Sequence, residues 1–164
     1  MKRVLSILVI LIATLTIFPS VSLAGEKYVN PRFGFSIELP DKWAPFRDPA
    51  PQNNDGVSFT LPGDARFSAS GSHNVLERSL KDSVDEWIAG NPIIRSTPIT
   101  LSNGKGEYVR WNDQDQNHML LFVMSRDKDI CFTVYYRGPE NSFPLYSTEA
   151  FQALKTFEII NSQH

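Results

Sequence analysis

The sequence has 164 residues, of which 16 are basic and 18 acidic, and its formal net charge is −2. This mild acidity, without a basic tract, argues against nucleic-acid binding and against adhesion to an anionic membrane surface, because both depend on clustered lysine and arginine. The single cysteine, Cys131, cannot form an internal disulfide, so the fold depends on its core alone.

The first 24 residues have the features of a cleavable secretory signal peptide. Lys2 and Arg3 precede an apolar run over residues 4–18, and Ala24 ends a small-residue cleavage sequence. An uncleaved membrane anchor is the alternative, although a proline interrupts the end of the run. Cleavage leaves 140 residues with a net charge of −4. We expect residues 25–164 to form one globular domain that is periplasmic or secreted, without stable membrane insertion after cleavage.

The first part of the mature chain predicts strands separated by a long proline-rich loop. Alternating apolar residues indicate a strand over residues 33–39 with one buried face. Residues 41–55 contain three prolines and predict a loop. A second strand is predicted over residues 57–61, and a weaker third strand around residues 67–69.

Apolar residues at helical spacing between Leu76 and Ile88 predict an amphipathic helix, with Trp87 on its buried stripe. Asn74, followed three residues later by Glu77, is typical of a capping box. A glycine at position 90 is typical of a helix end.

The second half of the chain predicts further strands that pair in sequence order. They cover Ile93–Leu101 and residues 107–111, 118–126 and 130–136. The last two contain near-continuous apolar runs, which are typical of central strands covered on both faces. Asp127 and Lys128 predict a two-residue hairpin turn between them.

A short helix capped at Ser147 and a closing strand over residues 157–160 complete the predicted elements. Long strands joined by hairpins, with helices between some of them, indicate a mostly antiparallel sheet with helices packed on its faces. The sequence therefore predicts an α+β fold.

One segment near the start of the mature chain carries a family resemblance. Its residues are Tyr28-x-Asn30-x-x-x-Gly34-Phe35-Ser36-Ile37-x-x-Pro40-x-x-Trp43. This segment resembles the opening of PsbP-like domains, relatives of an extrinsic photosystem II protein that share a fold with the Mog-type Ran-binding proteins. The resemblance implies an α-β-α sandwich with a mostly antiparallel central sheet and flanking helices. It also implies an accessory or binding role rather than an enzymatic one, and no family site motif matches at identifiable residues.

Cys131 paired with a histidine would be the simplest nucleophile in the chain. The predicted hairpin places Cys131 opposite Met124 and His118 opposite Arg137, so Cys131 and His118 lie about 20 Å apart along the strands. His73 could approach Cys131 only through tertiary packing. We therefore expect Cys131 to be a small buried residue within a strand.

The motif Asp113-x-Asp115-x-Asn117 resembles the start of a calcium loop. The calcium pattern requires glycine next, where His118 stands, and glutamate at position twelve, where Met124 stands. Because Asp and Asn are common turn residues, we interpret the segment as a solvated hairpin loop.

Other candidate sites are weaker. His73, His118 and the terminal His164 show no spacing typical of a metal site. Residues 102–106 resemble a phosphate loop only in being rich in glycine, and a hairpin turn is the preferred interpretation. The sequence thus predicts no catalytic residue, metal site or cofactor.

Two tryptophans sit where a ligand rim could form. Trp43 adjoins the proline-rich loop and Trp111 adjoins the Asp113 loop, although tryptophan more often covers the edge of a core. We expect an exported, non-catalytic accessory domain that recognises a protein partner or a small ligand through surface loops, with residues 43–55 as the preferred surface. The alternatives are a hydrolase whose site assembles only in three dimensions, and a calcium or metal sensor that uses residues 113–118.

Overall fold

The computed structural model describes residues 25–101 and 103–160, so the expected signal peptide lies outside the described residues. The elements in chain order are β1 (Gly25–Asn30), β2 (Phe35–Pro40), β3 (Gly56–Leu61), β4 (Ala65–His73), α1 (Leu80–Ile88), β5 (Ile93–Leu101), β6 (Gly104–Asn112), β7 (Gln116–Ser125), β8 (Ile130–Pro139), α2 (Phe143–Lys155) and β9 (Glu158–Ile159). Short 3₁₀ helices precede β3 at Asp41–Phe46 and follow it at Pro62–Asp64.

Within the described residues, nine strands form two antiparallel sheets. The larger has the order β3-β4-β8-β7-β6-β5, and the smaller has the order β1-β2-β9. The small sheet and α2 pack on one face of the large sheet, and α1 packs on the other. This arrangement confirms the predicted α+β class and the α-β-α layering that the resemblance implies.

The main core fills the space between the two sheets and α2. The ring of Phe35 packs against those of Phe132 and Phe157, with centroid distances of 5.9 and 5.7 Å. Gly71 on β4 allows the close approach of Phe33, since a Cβ at position 71 would lie 2.6 Å from the Phe33 side chain. Close-packed contacts of this kind leave little room for a ligand in this core.

Strands β7 and β8 form the centre of the large sheet. Their register pairs Met124 with Cys131 and His118 with Arg137, which confirms the predicted pairing of the two strands. The predicted two-residue turn is wrong, because residues 126–129 separate the strands and the turn bond joins Lys128 to Ser125. Apolar side chains of β7 are buried on both faces, as the continuous apolar run predicted.

Helix α1 begins at Leu80 rather than at Leu76, so the predicted first turn is wrong. Ser79 caps the helix, and its side chain accepts a hydrogen bond from the amide of Asp82 at 3.1 Å. Leu76 is 65% exposed and does not belong to the buried stripe.

The capping box predicted at Asn74 is wrong for a related reason. Glu77 has a φ of 49°, a left-handed conformation that interrupts the helix. The Asn74 side chain accepts a hydrogen bond from the amide of Arg78 and donates one to the carbonyl of Lys128, both at 3.0 Å. It therefore fixes a loop to the β7–β8 turn instead of capping a helix.

Other differences concern boundaries. Strand β1 was not predicted, β4 is a full nine-residue strand rather than a weak one, and β6 begins at Gly104. Helix α2 begins at Phe143 instead of after Ser147, because a proline in its first turn starts the helix earlier. Across residues 25–101 and 103–160, no helix has the length and apolar character needed to cross a membrane.

Candidate functional site

Cys131 lies on β8 beneath α1 and is 7% exposed, which confirms the prediction that it is buried. Burial raises the pKa of its thiol and so disfavours the reactive thiolate. His73 and Cys131 border one shallow hollow of about 170 Å³. However, His73 pairs with Ile130, one residue from Cys131, and its ring packs against Phe33 on the opposite face of the sheet. Neither His73 nor the more distant His118 is placed to activate the thiol.

His118 on β7 is the centre of a buried polar network that the sequence analysis missed. Its Nε2 lies 2.9 Å from Asp113 Oδ2, and its Nδ1 lies 2.6 Å from the Tyr135 hydroxyl. Its ring stacks on Trp111 with a centroid distance of 4.6 Å. Burial outweighs the attraction of Asp113 and lowers the pKa of His118, so the imidazole is neutral at neutral pH. Nε2 then donates to the carboxylate, and Nδ1 accepts the proton of the Tyr135 hydroxyl.

The order Asp113, His118, Tyr135 resembles a relay that activates a nucleophile. Burial raises the pKa of Tyr135 to about 12, so its hydroxyl stays protonated at neutral pH. The network joins the β6–β7 turn to β8, and we interpret it as a structural link that satisfies buried polar groups.

Residues 113–117 form the turn between β6 and β7. Oδ1 of Asp113 accepts hydrogen bonds from the amides of Asp115 and Gln116 at 3.1 and 2.9 Å, and Oδ2 binds His118. These bonds, the Asp115 amide above all, lower the pKa of Asp113. Both carboxylate oxygens therefore have partners within the protein. No group of three or more His, Cys, Asp or Glu side chains that could hold a metal ion occurs in the described part of the chain.

The three tryptophans differ in exposure. Trp43 and Trp111 are buried, so both cover the edge of a core. Trp87 was predicted to be buried, but it is 38% exposed, and its ring packs against Tyr135 at a centroid distance of 4.9 Å. The reason for the difference is that α1 lies over β6 and β7, so that Trp87 reaches only the open border of β8.

The proline-rich segment is fixed at both ends. The amide of Asp48 donates to the carbonyl of Ser58 at 2.9 Å, and the amide of Gly71 donates to the carbonyl of Asp55 at 2.9 Å. The Asp48 bond and the adjacent bridge between Arg47 and Phe59 cover the edge of β3, whereas the Gly71 bond extends the pairing of β3 with β4. Its tip is also held, because the carbonyl of Asn54 accepts a hydrogen bond from Asn30 of β1 at 3.0 Å and the carbonyl of Asn53 accepts one from Arg32. Whether the segment binds a partner stays a prediction.

A cavity lies at one end of the large sheet, between the start of α1 and the β5–β6 and β7–β8 turns. Its volume is about 510 Å³. The lining residues are Ser79, Leu80, Thr100, Leu101, Gly104, Lys105, Met124, Ser125, Arg126 and Lys128. We call this space the hairpin cavity.

Local geometry holds the hairpin cavity open. The amide of Arg126 donates to the carbonyl of Asn103 at 3.0 Å, which ties the two turns together. The amide of Lys128 donates to the carbonyl of Ser125 at 3.0 Å, and Lys128 has a φ of 67°, which turns the chain back into β8. The hydroxyl of Ser125 donates to Asp127, which also accepts from the amide of Asp129, and these bonds keep the Asp127 carboxylate within the turn.

Apolar and cationic groups are separated within the hairpin cavity. Leu80, Leu101 and Met124 provide apolar surface, whereas Lys105 and Lys128 are exposed and form no ion pair with a described carboxylate. The cavity lining therefore combines apolar surface with exposed positive charge, although the chain as a whole is acidic.

Comparison with known proteins identifies the fold. No family model matches the sequence, and no curated protein matches it. Cyanobacterial PsbP (CyanoP) from Synechocystis sp. PCC 6803 has 13% identity and a TM-score of 0.56, covering 85% of this chain and 95% of its own. The Ran-binding protein Mog1p of Saccharomyces cerevisiae has 8% identity and a TM-score of 0.52, covering 86% and 98%. The chain thus has the PsbP-like fold that Mog-type proteins share, as the opening segment suggested.

Proposed function

We propose that this protein is an exported, non-catalytic binding domain that holds a small anionic amphiphile in the hairpin cavity. The observation that carries the proposal is a cavity of about 510 Å³ whose lining combines apolar side chains with two exposed lysines, Lys105 and Lys128, that form no ion pair with a described carboxylate. This volume falls within the range of small-molecule sites, about 300–1,000 Å³. A ligand with an alkyl chain and one carboxylate suits this lining, because the chain can pack on the apolar side chains and the carboxylate can bind the lysines.

The energetics favour such a ligand over a purely polar or purely apolar one. Each methylene buried against the apolar wall contributes about 0.8 kcal/mol. Each exposed lysine contributes up to about 1 kcal/mol toward an anion, and less at high salt.

The chemistry of the lining favours binding over catalysis. Among the described lining residues there is no His, Cys, Asp or Glu. The hydroxyls of Ser79 and Ser125 donate to Asp82 and Asp127. The same groups hold backbone amides, since Ser79 accepts from the amide of Asp82 and Asp127 accepts from the amide of Asp129, so we assign both serine–carboxylate pairs a structural role in the helix cap and the turn. The fold is consistent with this role, since one similar protein is named as a Ran-binding protein.

Export is part of the proposal and rests on the signal-peptide features of residues 1–24. The N-terminal sequence of protein recovered from the exported fraction should begin at Gly25. An intact Met1 in the membrane fraction would instead identify an uncleaved anchor.

Binding is tested with 8-anilinonaphthalene-1-sulfonate, a fluorescent apolar anion, displaced by dodecanoate or by uncharged dodecanol. We expect dodecanoate to displace the probe better than dodecanol. The double variant Lys105→Met with Lys128→Met should weaken dodecanoate binding by up to roughly tenfold at low salt and leave dodecanol unchanged. Lys155→Met, which removes a lysine that does not line the cavity, is the matched control.

A second variant separates this cavity from other apolar surface. Thr100 is exposed and lines the cavity, so Thr100→Trp should fill the space and abolish probe binding without unfolding the domain. Thr60→Trp, the same change on exposed edge strand β3, should leave binding intact. Equal binding by the two variants, or equal displacement by dodecanoate and dodecanol, would contradict the proposal.

A further inference from the structure

A second surface lies on the face of the large sheet that carries α1. This helix packs over β6, β7 and the Cys131 end of β8, whereas its last exposed ring, Trp87, reaches only as far as Tyr135. Strands β3 and β4 and the rest of β8 lie beside the helix on this face. The side chains of these three strands on this face are exposed or half-buried: Ser58, Thr60, Arg66, Ser68, Ser70, Thr133, Tyr135 and Arg137. We call this surface the open face.

Two arginines lie directly opposite each other on the open face. Arg66 on β4 pairs in register with Arg137 on β8, so both side chains project from the same side of the sheet. Like charges at directly opposed positions destabilise a sheet. Neither arginine forms an ion pair with a carboxylate among the described residues. The pair is thus an unsatisfied positive charge at a fixed place in the fold.

Hydroxyl groups and an aromatic ring surround this arginine pair. Arg66 and Arg137 border a groove of about 240 Å³, together with Ser58, Ser68 and Tyr135. Because the Tyr135 hydroxyl donates to His118, the remaining donors to a ligand are the guanidinium groups and the serine hydroxyls.

The border of the groove provides a contact of a different kind. Trp87 packs on Tyr135 and leaves 38% of its surface exposed. Tryptophan, tyrosine and arginine are the residue types enriched at the energetic centres of protein interfaces. One wall of the groove also contains Asp48, from the proline-rich segment.

We propose that the open face docks an extended acidic segment of a partner protein. One carboxylate of that segment bridges Arg66 and Arg137 through paired N–H···O bonds, the geometry that guanidinium groups favour. An apolar side chain two residues along the segment, on the same side as that carboxylate, packs on Trp87. The three exposed strands are roughly 10–15 Å across, which suits an extended chain rather than a single small anion. Two arginines on an acidic protein do not suit nucleic acid, whose binding requires a wider basic surface.

The test uses a synthetic peptide with the repeat Glu-Ser-Leu-Ser, which places Glu and Leu on the same side of an extended chain, and with an uncharged fluorescent label. The peptide is titrated into the mature protein and followed by anisotropy. We expect saturable binding that weakens with salt. Arg66→Gln and Arg137→Gln should each reduce affinity by roughly tenfold, as expected for loss of a charge-assisted bond. Arg95→Gln, on the opposite edge strand, is the matched control and should change affinity less than twofold. The melting temperatures of the two open-face variants should be unchanged or higher, because each relieves like-charge repulsion.

Several outcomes would overturn this inference. Peptide binding that survives the double Arg66→Gln, Arg137→Gln change would exclude the arginine pair. Free glutamate or inorganic phosphate competing as well as the peptide would identify a small-anion site instead. Concentration-dependent dimers that dissociate in the double variant would show that a second copy occupies this face. The Lys105→Met, Lys128→Met protein should bind the peptide normally, so failure at one surface is distinguishable from failure at the other.

Discussion

Replacing Trp43 tests whether the proline-rich segment is part of the core or a detachable binding loop. Trp43 is fully buried, and its ring packs against those of Phe59 and Phe67 at centroid distances of 5.8 and 5.0 Å. Truncation of a buried tryptophan to alanine costs about 3–5 kcal/mol. Since the free energy of unfolding of such domains is about 5–15 kcal/mol, Trp43→Ala should lose a large part of its stability.

A more conservative change separates two opposing effects at the same position. The indole Nε1 of Trp43 is buried and has no hydrogen-bond partner within the described residues. Trp43→Phe removes two ring carbons, a loss of about 1–2 kcal/mol of apolar burial. It also removes an unpaired donor whose burial costs about 1–3 kcal/mol. These effects nearly cancel, so we expect Trp43→Phe to lie within about 1 kcal/mol of the wild-type free energy of unfolding.

Urea unfolding of the mature protein, followed by circular dichroism, measures both variants without relying on tryptophan fluorescence. Phe46→Ala is the control from the same segment, because Phe46 is 37% exposed and should cost about 1 kcal/mol or less. If Trp43→Phe were as destabilising as Trp43→Ala, the indole N–H would have a strong partner and the reasoning would fail. A stable Trp43→Ala protein would show that the segment is not part of the core.

Three further predictions concern the titratable groups and the proposed absence of a calcium site. Because burial lowers the pKa of His118 in the folded state, the unfolded state binds more protons below its ordinary pKa of about 6.5. The wild-type free energy of unfolding should therefore fall as pH decreases below about 6.5. The dependence of the free energy of unfolding on pH should be weaker in His118→Gln. An equal pH dependence in both proteins would exclude His118 as its cause. Cys131 should react with a thiol reagent on the order of a hundredfold more slowly in native than in urea-unfolded protein, and similar rates would show that it is accessible. Calcium should raise the melting temperature by less than about 2 °C relative to chelator. A true site, at a calcium concentration 100 times its dissociation constant, would add about 2.7 kcal/mol to the free energy of unfolding and so shift the melting temperature further. A larger shift that disappears in Asp113→Ala would restore the calcium hypothesis.

Local patterns were sufficient to predict the central strands. The register of β7 and β8 could be predicted directly, because their apolar runs are adjacent in sequence and joined by a short turn. The helical spacing of apolar residues, by contrast, placed the start of α1 too early. Leu76 has the helical spacing, but Asn74 bonds to the β7–β8 turn, and this tertiary contact overrides the local preference.

The two proposed surfaces depend on pairings between distant segments. Arg66 meets Arg137 only because β4 pairs with β8, a connection that skips β5, β6 and β7. Lys105 and Lys128 line one cavity only because the β5–β6 and β7–β8 hairpins lie next to each other. Net charge gives no information about such local concentrations of positive charge.

The His118 network was closer to being predictable. With residues 113–116 as the turn, Trp111 falls opposite His118, and this pairing is observed in the sheet. The motif of residues 113–117 suggests Asp113 as a calcium ligand, but the position of Asp113 two residues after Trp111 brings its carboxylate to His118 instead. The third member, Tyr135, required the register of β8 as well.

The most direct test of the central claim is a titration of the isotopically labelled mature protein with dodecanoate, followed by the backbone amide resonances. If the hairpin cavity binds an anionic amphiphile, saturable shifts should concentrate at its wall, at Leu80, Lys105, Met124 and Lys128. Amides of β1 and β2, on the opposite face of the large sheet, should remain unchanged. Shifts that are absent, or that concentrate on β1 and β2 while the cavity stays unperturbed, would contradict the account.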